Sequence, residues 1–539
     1  MALLLAACLL GTARYLPGGD GPQNITPSRQ AYESGLALIR QGKAKEASEI
    51  FEQGLKLDPA NLLLLNALGG AYTLQGRDKE ARQCFLAALN VDPAFSPARK
   101  NLALSYFHAG EYASAKAEFE RLAANPESRP IADLFLGMLA ERDQQFEKAA
   151  GLLQAAGRLL PQEPQGLIAL AHCYFELGRG DEARIVLAAL GELNRATSSN
   201  YFQAGRLCFQ HGLYSESLGF FEKANRLAPG LTDLDYYRAL TLAELGRLPE
   251  ALDILRVSTS RHPDARVLNL LGHVAQKTGD TKLAIQSFYQ AAELAPEMEE
   301  NYLDYSELVL NSENYVLALK ILDAGLAHIP HSYRLMVEKG AVLDKLTRRR
   351  EAEEVLRSAM KVQADNRIAM TSLAVVEAHD HRLNDAADTL QQAITRYPAD
   401  AYLRYYYGLV LVQLAEKQNM SPSAAEAARH ELEEAIKLNP SYADAYYQLA
   451  KTYVETDPAK ATEELEACLR RQPDHYAAEM QLGRLYRKMG RRLEGDQLLA
   501  KAIRDKQAEK DKEDTMQRIE EAKPSPDGAS TSSDKEKLP

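Results

Sequence analysis

The sequence predicts an all-α fold of stacked helical pairs, and three regularities of the 539-residue chain support this. A small residue recurs every 34 positions from Ala47 to Ala386, with a single step of 33. A large apolar residue, such as Phe51, follows each small residue four positions later. In most units a proline, such as Pro59, falls eight positions beyond the large residue. A register held this often indicates one structural unit copied many times.

Each unit of about 34 residues predicts two helices. Within each half, apolar residues recur at spacings of three and four, which is the period of a helix with one buried face. Glycines such as Gly42 and Gly76 fall between the halves, where a tight turn tolerates them. The proline ends the second helix, because it cannot continue one. A single pair cannot bury its apolar face, so neighbouring pairs must stack.

Composition excludes several other classes of protein. Asp and Glu number 75 against 64 Lys and Arg, a net charge of −11, which argues against nucleic acid as the main partner. A hydrophobic content of 46% and a charged content of 26% are typical of folded globular chains. The cysteines are too few and too far apart for a disulfide framework or a paired-cysteine zinc site; they are Cys8, Cys84, Cys173, Cys208 and Cys468.

The repeated pattern resembles the tetratricopeptide repeat (TPR), and about fourteen units fit between Ser28 and Ala508. One unit matches the TPR pattern almost fully, through Leu68, Gly69, Tyr72, Gly76, Ala81, Phe85, Ala88 and Pro93. The tryptophan of the family pattern is absent. The resemblance, which is to multi-repeat TPR proteins of the bacterial type, implies a right-handed superhelical solenoid. It also implies that the chain binds peptides or proteins.

The segments outside the repeats are expected to differ in character. Residues 1–27 form an apolar leader and linker, and residues 28–508 form the solenoid, with about eight residues inserted near 416–423. Residues 509–521 are predicted to form a charged C-terminal helix, which would shield the apolar end of the solenoid. The Ser-, Pro- and charge-rich tail 522–539 is predicted to be disordered.

The N-terminal run Ala2 to Leu10 is too short to span a bilayer, which takes about 20 residues. It is typical of the apolar part of a secretory signal, and the stretch ending at Cys8 resembles a bacterial lipobox, in which the cysteine is lipidated. A secretory signal would have a Lys or Arg before the run, and none is present here. From the apolar run and the lipobox-like stretch we expect export to the periplasm or cell envelope, with a cytoplasmic location as the alternative.

The resemblance places the first helix of each pair on the concave face of the solenoid. The first half of each unit also carries a small residue, such as Gly205. Positions −6, −3, +1 and +4 from this residue share one helix face, which we predict to be a binding groove. Aromatic residues and Arg are common interface anchors, although some of these rings could instead pack between adjacent pairs. The predicted groove residues are His172, Phe175, Phe202, Arg206, Phe209, Asp233, Tyr236, Arg266, Asn269, His273, Gln276, Tyr402, Tyr405, Asp444, Tyr447 and Lys451.

Other motifs predict no chemistry. His379-Asp380-His381 falls at an inter-helix turn, where polar residues are ordinary and no further metal ligand is near in sequence. The basic cluster Arg348-Arg349-Arg350, with Lys345 nearby, is interpreted as a solvated turn. Lys100 and Asn101 suit the carboxylate clamp of some TPR proteins, but Leu104 stands where an Asn is expected, so no clamp is predicted.

No nucleophile elbow, phosphate-binding loop or metal motif occurs in the sequence. We therefore predict a non-catalytic scaffold that binds proteins or peptides, without cofactor, metal, nucleic acid or small-molecule substrate. Two alternatives stay open: a cytoplasmic adaptor, and a substrate-recruiting subunit of an enzyme complex.

Overall fold

The computed structural model describes residues 26–363 and 365–521, with side chains up to residue 507. Over these ranges the chain forms 28 α-helices and one short 3-10 helix, and no strand, which confirms the all-α class. The predicted leader up to residue 25, including Cys8, and the predicted tail 522–539 lie outside the described residues.

The chain divides into two compact units, with the boundary between Arg247 and Leu248. The helices of unit 1 are α1 (Pro27–Arg40), α2 (Ala44–Leu57), α3 (Leu62–Leu74), α4 (Asp78–Val91), α5 (Ser96–His108), α6 (Tyr112–Leu122), α7 (Arg129–Arg142), α8 (Phe146–Ala155), α9 (Pro164–Glu176), α10 (Gly180–Gly191), α11 (Ser198–Gln210), α12 (Tyr214–Leu227) and α13 (Thr232–Glu244). The 3-10 helix Gly157–Gln162 lies between α8 and α9.

The helices of unit 2 are α14 (Leu248–Arg261), α15 (Ala265–Lys277), α16 (Thr281–Leu294), α17 (Glu299–Leu310), α18 (Tyr315–His328), α19 (Tyr333–Lys345), α20 (Arg349–Val362), α21 (Arg367–His379), α22 (Leu383–Arg396), α23 (Ala401–Lys417), α24 (Pro422–Leu438), α25 (Ala443–Lys451), α26 (Pro458–Arg471), α27 (Tyr476–Lys488) and α28 (Arg492–Glu521).

Odd-numbered helices are the first helices of the repeats, and even-numbered helices are the second helices. Within each unit a first helix packs on the second helix that follows it. Successive first helices also contact each other, as α7 and α9 do in unit 1 and α19, α21 and α23 do in unit 2. The first helices of a unit therefore lie side by side and form one surface.

The small residue of the first helix lets the two helices of a pair approach closely. A Cβ atom added to Gly69 would lie 2.5 Å from Cε1 of Phe85, and one added to Gly205 would lie 2.5 Å from Cε1 of Phe221. Both phenylalanines are fully buried. In these pairs the large residue of the 34-residue pattern thus packs against a glycine of the first helix, because no Cβ fits at such distances.

The turns between the two helices of a pair use a left-handed backbone. Gly42 and Gly76 have φ of +77° and +74°. Where the sequence has no glycine, other residues adopt the same conformation, with Gln144 at φ 60° and Thr347 at φ 59°. The turn geometry is therefore common to repeats with and without glycine.

The twelfth repeat is enlarged, since α23 and α24 have 17 residues each, whereas the helices of the preceding pair have 13 and 14. Their connection places Asn419 and Met420 in consecutive left-handed conformations, both at φ 52°. The charged segment 509–521 continues α28, which runs for 30 residues.

Candidate functional site

The surface formed by the first helices holds the predicted groove residues, and polar contacts connect neighbouring helices across it. In unit 2, Nδ2 of Asn269 on α15 donates to Oδ2 of Asp304 on α17 at 2.7 Å. Nζ of Lys451 on α25 lies 2.7 Å from Oε1 of Glu416 on α23. We call this surface, within each unit, the first-helix surface. Contacts of this kind fix the spacing of neighbouring helices and thus the shape that a partner would meet.

An aromatic cluster occupies the first-helix surface of unit 1. The rings of Phe175 and His211 stack with centroids 4.1 Å apart. Phe209 is half-buried and lies 6.4 Å, centroid to centroid, from Tyr237. The guanidinium of Arg206, an exposed residue, lies 5.3 Å from the Tyr237 ring. The cluster combines apolar faces with an exposed cation, as interface anchors do.

The remaining predicted residues of unit 1 differ in accessibility. Phe202 is partly buried against the core of unit 1, with its ring 5.5 Å from Tyr237 and 5.8 Å from Phe221. Tyr236 is half-buried, with its ring edge-on to Tyr237 at 5.4 Å, and Asp233 is exposed. Phe202 thus packs against α12 and α13, and both it and Tyr236 are half-buried. His211 and Tyr237, which complete the cluster, were missed because they lie outside the four chosen offsets.

His172 forms an ionic contact between two repeats of unit 1. Its Nδ1 lies 2.5 Å from Oε1 of Glu141 on α7, and its Nε2 lies 3.7 Å from Glu176. The hydrogen bond with Glu141 raises the pKa of His172, against the opposing effect of burial. The imidazolium form is therefore favoured at this point of the surface.

In the first repeats of unit 2, the predicted residues converge on one carboxylate. Asp304 meets Nε2 of His273 at 3.1 Å in addition to Nδ2 of Asn269. Burial alone would raise the pKa of Asp304, but the hydrogen bonds from His273 and Asn269 outweigh it and leave the pKa lowered. Arg266 is exposed and lies 3.2 Å from Asp264, the residue that caps α15, and Gln276 is half-buried.

The tyrosine cluster of the twelfth repeat is only partly accessible. Tyr402 is 51% exposed, and its hydroxyl lies 3.1 Å from that of Tyr406. Tyr405 is 9% exposed and packs in the core, with its ring 4.5 Å from Tyr442. The prediction of Tyr405 as a groove residue is therefore wrong. The offset gives the direction of the side chain from α23, but Tyr442, at the start of the next repeat, covers the ring.

The thirteenth repeat uses its predicted residues in contacts with its neighbours. Tyr447 is half-buried, with its ring 4.9 Å from His475. Asp444 lies 3.2 Å from Nε2 of the same histidine, and this hydrogen bond lowers the pKa of Asp444. Lys451 is bonded to Glu416, so these side chains connect repeats in addition to lining the surface.

A pocket of about 450 Å³ lies on the first-helix surface of unit 2, between α19, α21 and α23. We call it the α21 pocket. The four offsets, applied to the tenth and eleventh repeats, give eight residues, and five of them line the pocket: Ala341, Asp344, Ile368, Thr371 and Val375. Sequence reasoning missed the pocket because it selected repeats for their aromatic residues, and only Tyr402 of the predicted set contributes to it.

The structure also locates the motifs from which no chemistry was predicted. Asn101 is buried and donates to Asn66 at 2.9 Å, so it belongs to the core of unit 1. His379 ends α21, and His381 occupies the left-handed turn position. Among the described residues no group of three or more His, Cys, Asp or Glu side chains is placed to hold a metal ion. No helix in the described ranges has both the length and the apolar composition needed to cross a bilayer.

Repeat models match several stretches of the chain. Models described as "Tetratricopeptide repeat" match residues 38–94, 100–164, 140–205, 265–298, 337–401 and 444–475, and one described as "TPR repeat" matches residues 425–457. Together these matches cover more than half of the chain.

Individual relatives are distant. The TPR repeat-containing protein YpiA of Bacillus subtilis is 20% identical over 362 residues, which are 65% of this chain and 85% of YpiA. The BBSome complex member BBS4 homolog of Drosophila melanogaster is 23% identical over 59% of this chain and 67% of its own length. The crystal structure of yeast Tom70 superposes with a TM-score of 0.39 at 13% identity, covering 92% of this chain and 96% of Tom70.

The paired helices and their shared first-helix surface define an α-helical repeat protein. With the repeat-model matches, the chain belongs to the tetratricopeptide-repeat family as a multi-repeat member. Repeats of this family generally act as protein-interaction scaffolds without catalysis of their own.

Proposed function

We propose that this chain is a non-catalytic scaffold that holds extended or helical segments of partner proteins on its first-helix surfaces. The aromatic cluster of unit 1 is the observation that supports the proposal most directly. Phe209 and Tyr236 there are half-buried, and Arg206 beside them is exposed. Aromatic and Arg side chains contribute more binding energy than other residues at protein interfaces.

Preorganisation is the second support for this proposal. The cluster rings rest on each other and on the core of unit 1, so their rotamers are largely fixed before a partner arrives. Fixing such side chains during binding would cost about 0.5–1.5 kcal/mol each. A surface that is already ordered avoids part of that cost. When several repeats bind one segment, the first contact raises the effective concentration of the rest of the segment at the next repeat, which strengthens the overall binding.

The proposal includes a location at the cell envelope, on the strength of the apolar run Ala2 to Leu10 and the lipobox-like Cys8. Fractionation of the native cells, with the mass of the N-terminal peptide of the isolated protein, tests this part alone. A processed or lipidated N-terminus in the envelope fraction is expected. An unprocessed chain in the cytoplasmic fraction would favour the adaptor alternative.

Affinity capture from native extract, with quantification by mass spectrometry, tests the binding proposal. The test variant combines Arg206→Ala, Phe209→Ala and Tyr236→Ala, which change accessible side chains and leave Phe202 in its packing position. The control variant combines Arg184→Ala, Ile185→Ala and Leu227→Ala, which lie exposed on the second helices α10 and α12. Circular dichroism must first show equal helicity in all three proteins.

We expect a defined set of proteins to be lost from the test variant and kept by the control variant. If proteins are lost only from the control variant, the partner binds the second helices instead. If all three proteins capture the same set, the aromatic cluster is not the binding site.

A further inference from the structure

The α21 pocket has an apolar wall open to solvent. Ile368 on α21 is 61% exposed and Tyr402 on α23 is 51% exposed. Val375 is half-buried beside them, and Leu403 is buried beneath. A volume of about 450 Å³ accommodates one large aliphatic or aromatic side chain together with the backbone on either side.

The two carboxylates of the pocket already have partners within the chain. Oδ1 of Asp400 caps α23 by accepting from the backbone nitrogens of Tyr402 and Leu403 at 2.9 and 3.1 Å. Its Oδ2 lies 3.2 Å from Nη1 of Arg367. Oδ2 of Asp344 lies 2.7 Å from Nδ1 of His379. Neither carboxylate therefore offers a free negative charge to a ligand.

One oxygen of Asp344 has no hydrogen bond, and it is buried. This atom is Oδ1, in a side chain that is only 9% exposed. Nε of Arg349, 3.7 Å away, offsets its charge but is too far to donate a hydrogen bond. Nε of Arg349 is buried and lacks a hydrogen bond as well, so this ion pair lies inside the chain and not on the surface of the pocket.

The unneutralised charge at the pocket is positive. Lys345, the last residue of α19, lines the pocket, is exposed, and makes no ion pair or hydrogen bond among the described residues. Arg350, at the start of the next helix, is also exposed and unpaired within the described part of the chain. Arg348 between them is bound to Glu351 through two hydrogen bonds of 2.7 and 2.6 Å. Lys345, next to the basic cluster interpreted as a solvated turn, therefore leaves one free cation at the pocket.

We propose that the α21 pocket binds an extended acidic segment of a partner protein, with one large apolar side chain inserted against Ile368, Val375 and Tyr402. Carboxylates next to that side chain in the segment would pair with Lys345. A basic segment fits poorly, because Lys345 would repel it and both carboxylates of the pocket are already paired. This inference rests on the proposed function, since it assigns one binding site of the scaffold and the chemistry of its partner.

Selection of peptides from a random phage-displayed library on the full chain tests the inference. The enriched peptides are then synthesised with a fluorescent label, and their affinities are measured by fluorescence anisotropy. We expect one enriched class with Asp or Glu on both sides of a Leu, Ile, Met or Phe. Its affinity should fall as the salt concentration rises, because exposed charge pairs are screened.

Two variants locate the site of that class. Lys345→Glu should weaken binding of the acidic peptides about five- to tenfold, the effect of replacing an exposed attraction with a repulsion. Ile368→Ser should weaken it about tenfold, because an apolar contact is lost. Both residues are exposed, so the fold is expected to tolerate the changes.

Two matched controls separate local from general effects. Lys277 is exposed and is the last residue of α15, as Lys345 is of α19, so Lys277→Glu changes the net charge equally at an equivalent position. Ile185 is 71% exposed on the second helix α10, so Ile185→Ser removes an equally accessible isoleucine elsewhere. Neither control should change the affinity for the acidic peptides more than twofold.

The possible failures can be told apart. If the wild type enriches peptides but none is acidic, or if Lys345→Glu and Ile368→Ser bind as tightly as the controls, the inference is overturned and the scaffold proposal stands. If the wild type enriches no peptide class at all, both the inference and peptide capture by the first-helix surfaces are wrong.

Discussion

Single histidines connect neighbouring first helices at several points of the chain. His172 meets Glu141 in unit 1, and His379 meets Asp344 in unit 2. In each contact the imidazole and the carboxylate belong to different repeats. The hydrogen bond with Glu141 raises the pKa of His172, so the contact of this histidine depends on pH.

The first prediction concerns the pKa of His172, which should lie above the ordinary value of about 6.5 because Glu141 stabilises the imidazolium. Because the pKa is higher in the folded state than in the unfolded state, the contact contributes its full stability to unit 1 at pH values below the unfolded-state pKa. The contribution is lost as the pH rises through the folded pKa. A third of the side chain is exposed, so solvent screening limits the effect to less than about 1 kcal/mol.

Hydrogen–deuterium exchange at the histidine ring, followed by mass spectrometry across a pH series, measures this pKa directly. The variant Glu141→Gln keeps the shape of the partner and removes its charge, so the pKa of His172 should fall in it. A wild-type pKa at or below the ordinary value, or one that Glu141→Gln leaves unchanged, would contradict the assignment.

At the scale of the helical pair, the connecting turn shows how the repeats tolerate different residues. Each turn requires one residue with a left-handed backbone. In the second repeat this residue is Gly76, and in the tenth repeat it is the β-branched Thr347. Left-handed backbone costs L-residues roughly 1–2 kcal/mol, and β-branched side chains fit it worst. The tenth repeat therefore carries conformational strain that repeats with glycine do not.

The second prediction is that Thr347→Gly stabilises unit 2 by about 1 kcal/mol, after allowance for the greater freedom of glycine in the unfolded chain. Urea denaturation followed by ellipticity should show a higher midpoint. The reverse change, Gly76→Thr, places a side chain in open space, since no atom lies within 4 Å of its Cβ, and should lower the midpoint through backbone strain alone. If both variants shift the midpoint in the same direction, turn strain is not the cause.

The pattern of the helical pair could be predicted from sequence because it is local. The glycine of a turn and the contact of Gly69 with Phe85 depend on one repeat, and each is copied along the chain. The candidate site depends on how one repeat covers the next. Tyr405 has the right offset but is covered by Tyr442, and the α21 pocket needs three neighbouring helices. No property of a single repeat indicates which faces remain uncovered.

At the scale of the whole molecule, the cores follow the division into units. Unit 1 contains a core centred on Phe51 and Phe85 and another that includes Phe119 and Phe221. Unit 2 contains cores that include Phe288, Leu390 and Leu465. Helices pack mainly on their neighbours in sequence, as in other repeat proteins, whose stability is close to a sum over repeats and their interfaces.

The last prediction is that the fragments 26–247 and 248–521 fold separately, because each holds complete cores of its own. Circular dichroism should give each fragment a helicity per residue within about 20% of that of the full chain, since only the terminal helix at each cut loses neighbours. A fragment cut at Thr347 is the matched control. Both cuts fall in the turn of a helical pair, between α13 and α14 and between α19 and α20. The cut at Thr347 also divides the core that Leu343 and Leu356 share, so its fragments should lose helicity near the cut. If fragment 26–247 or 248–521 is unfolded alone, the unit is not an autonomous stack, and its repeats depend on the rest of the chain for their order.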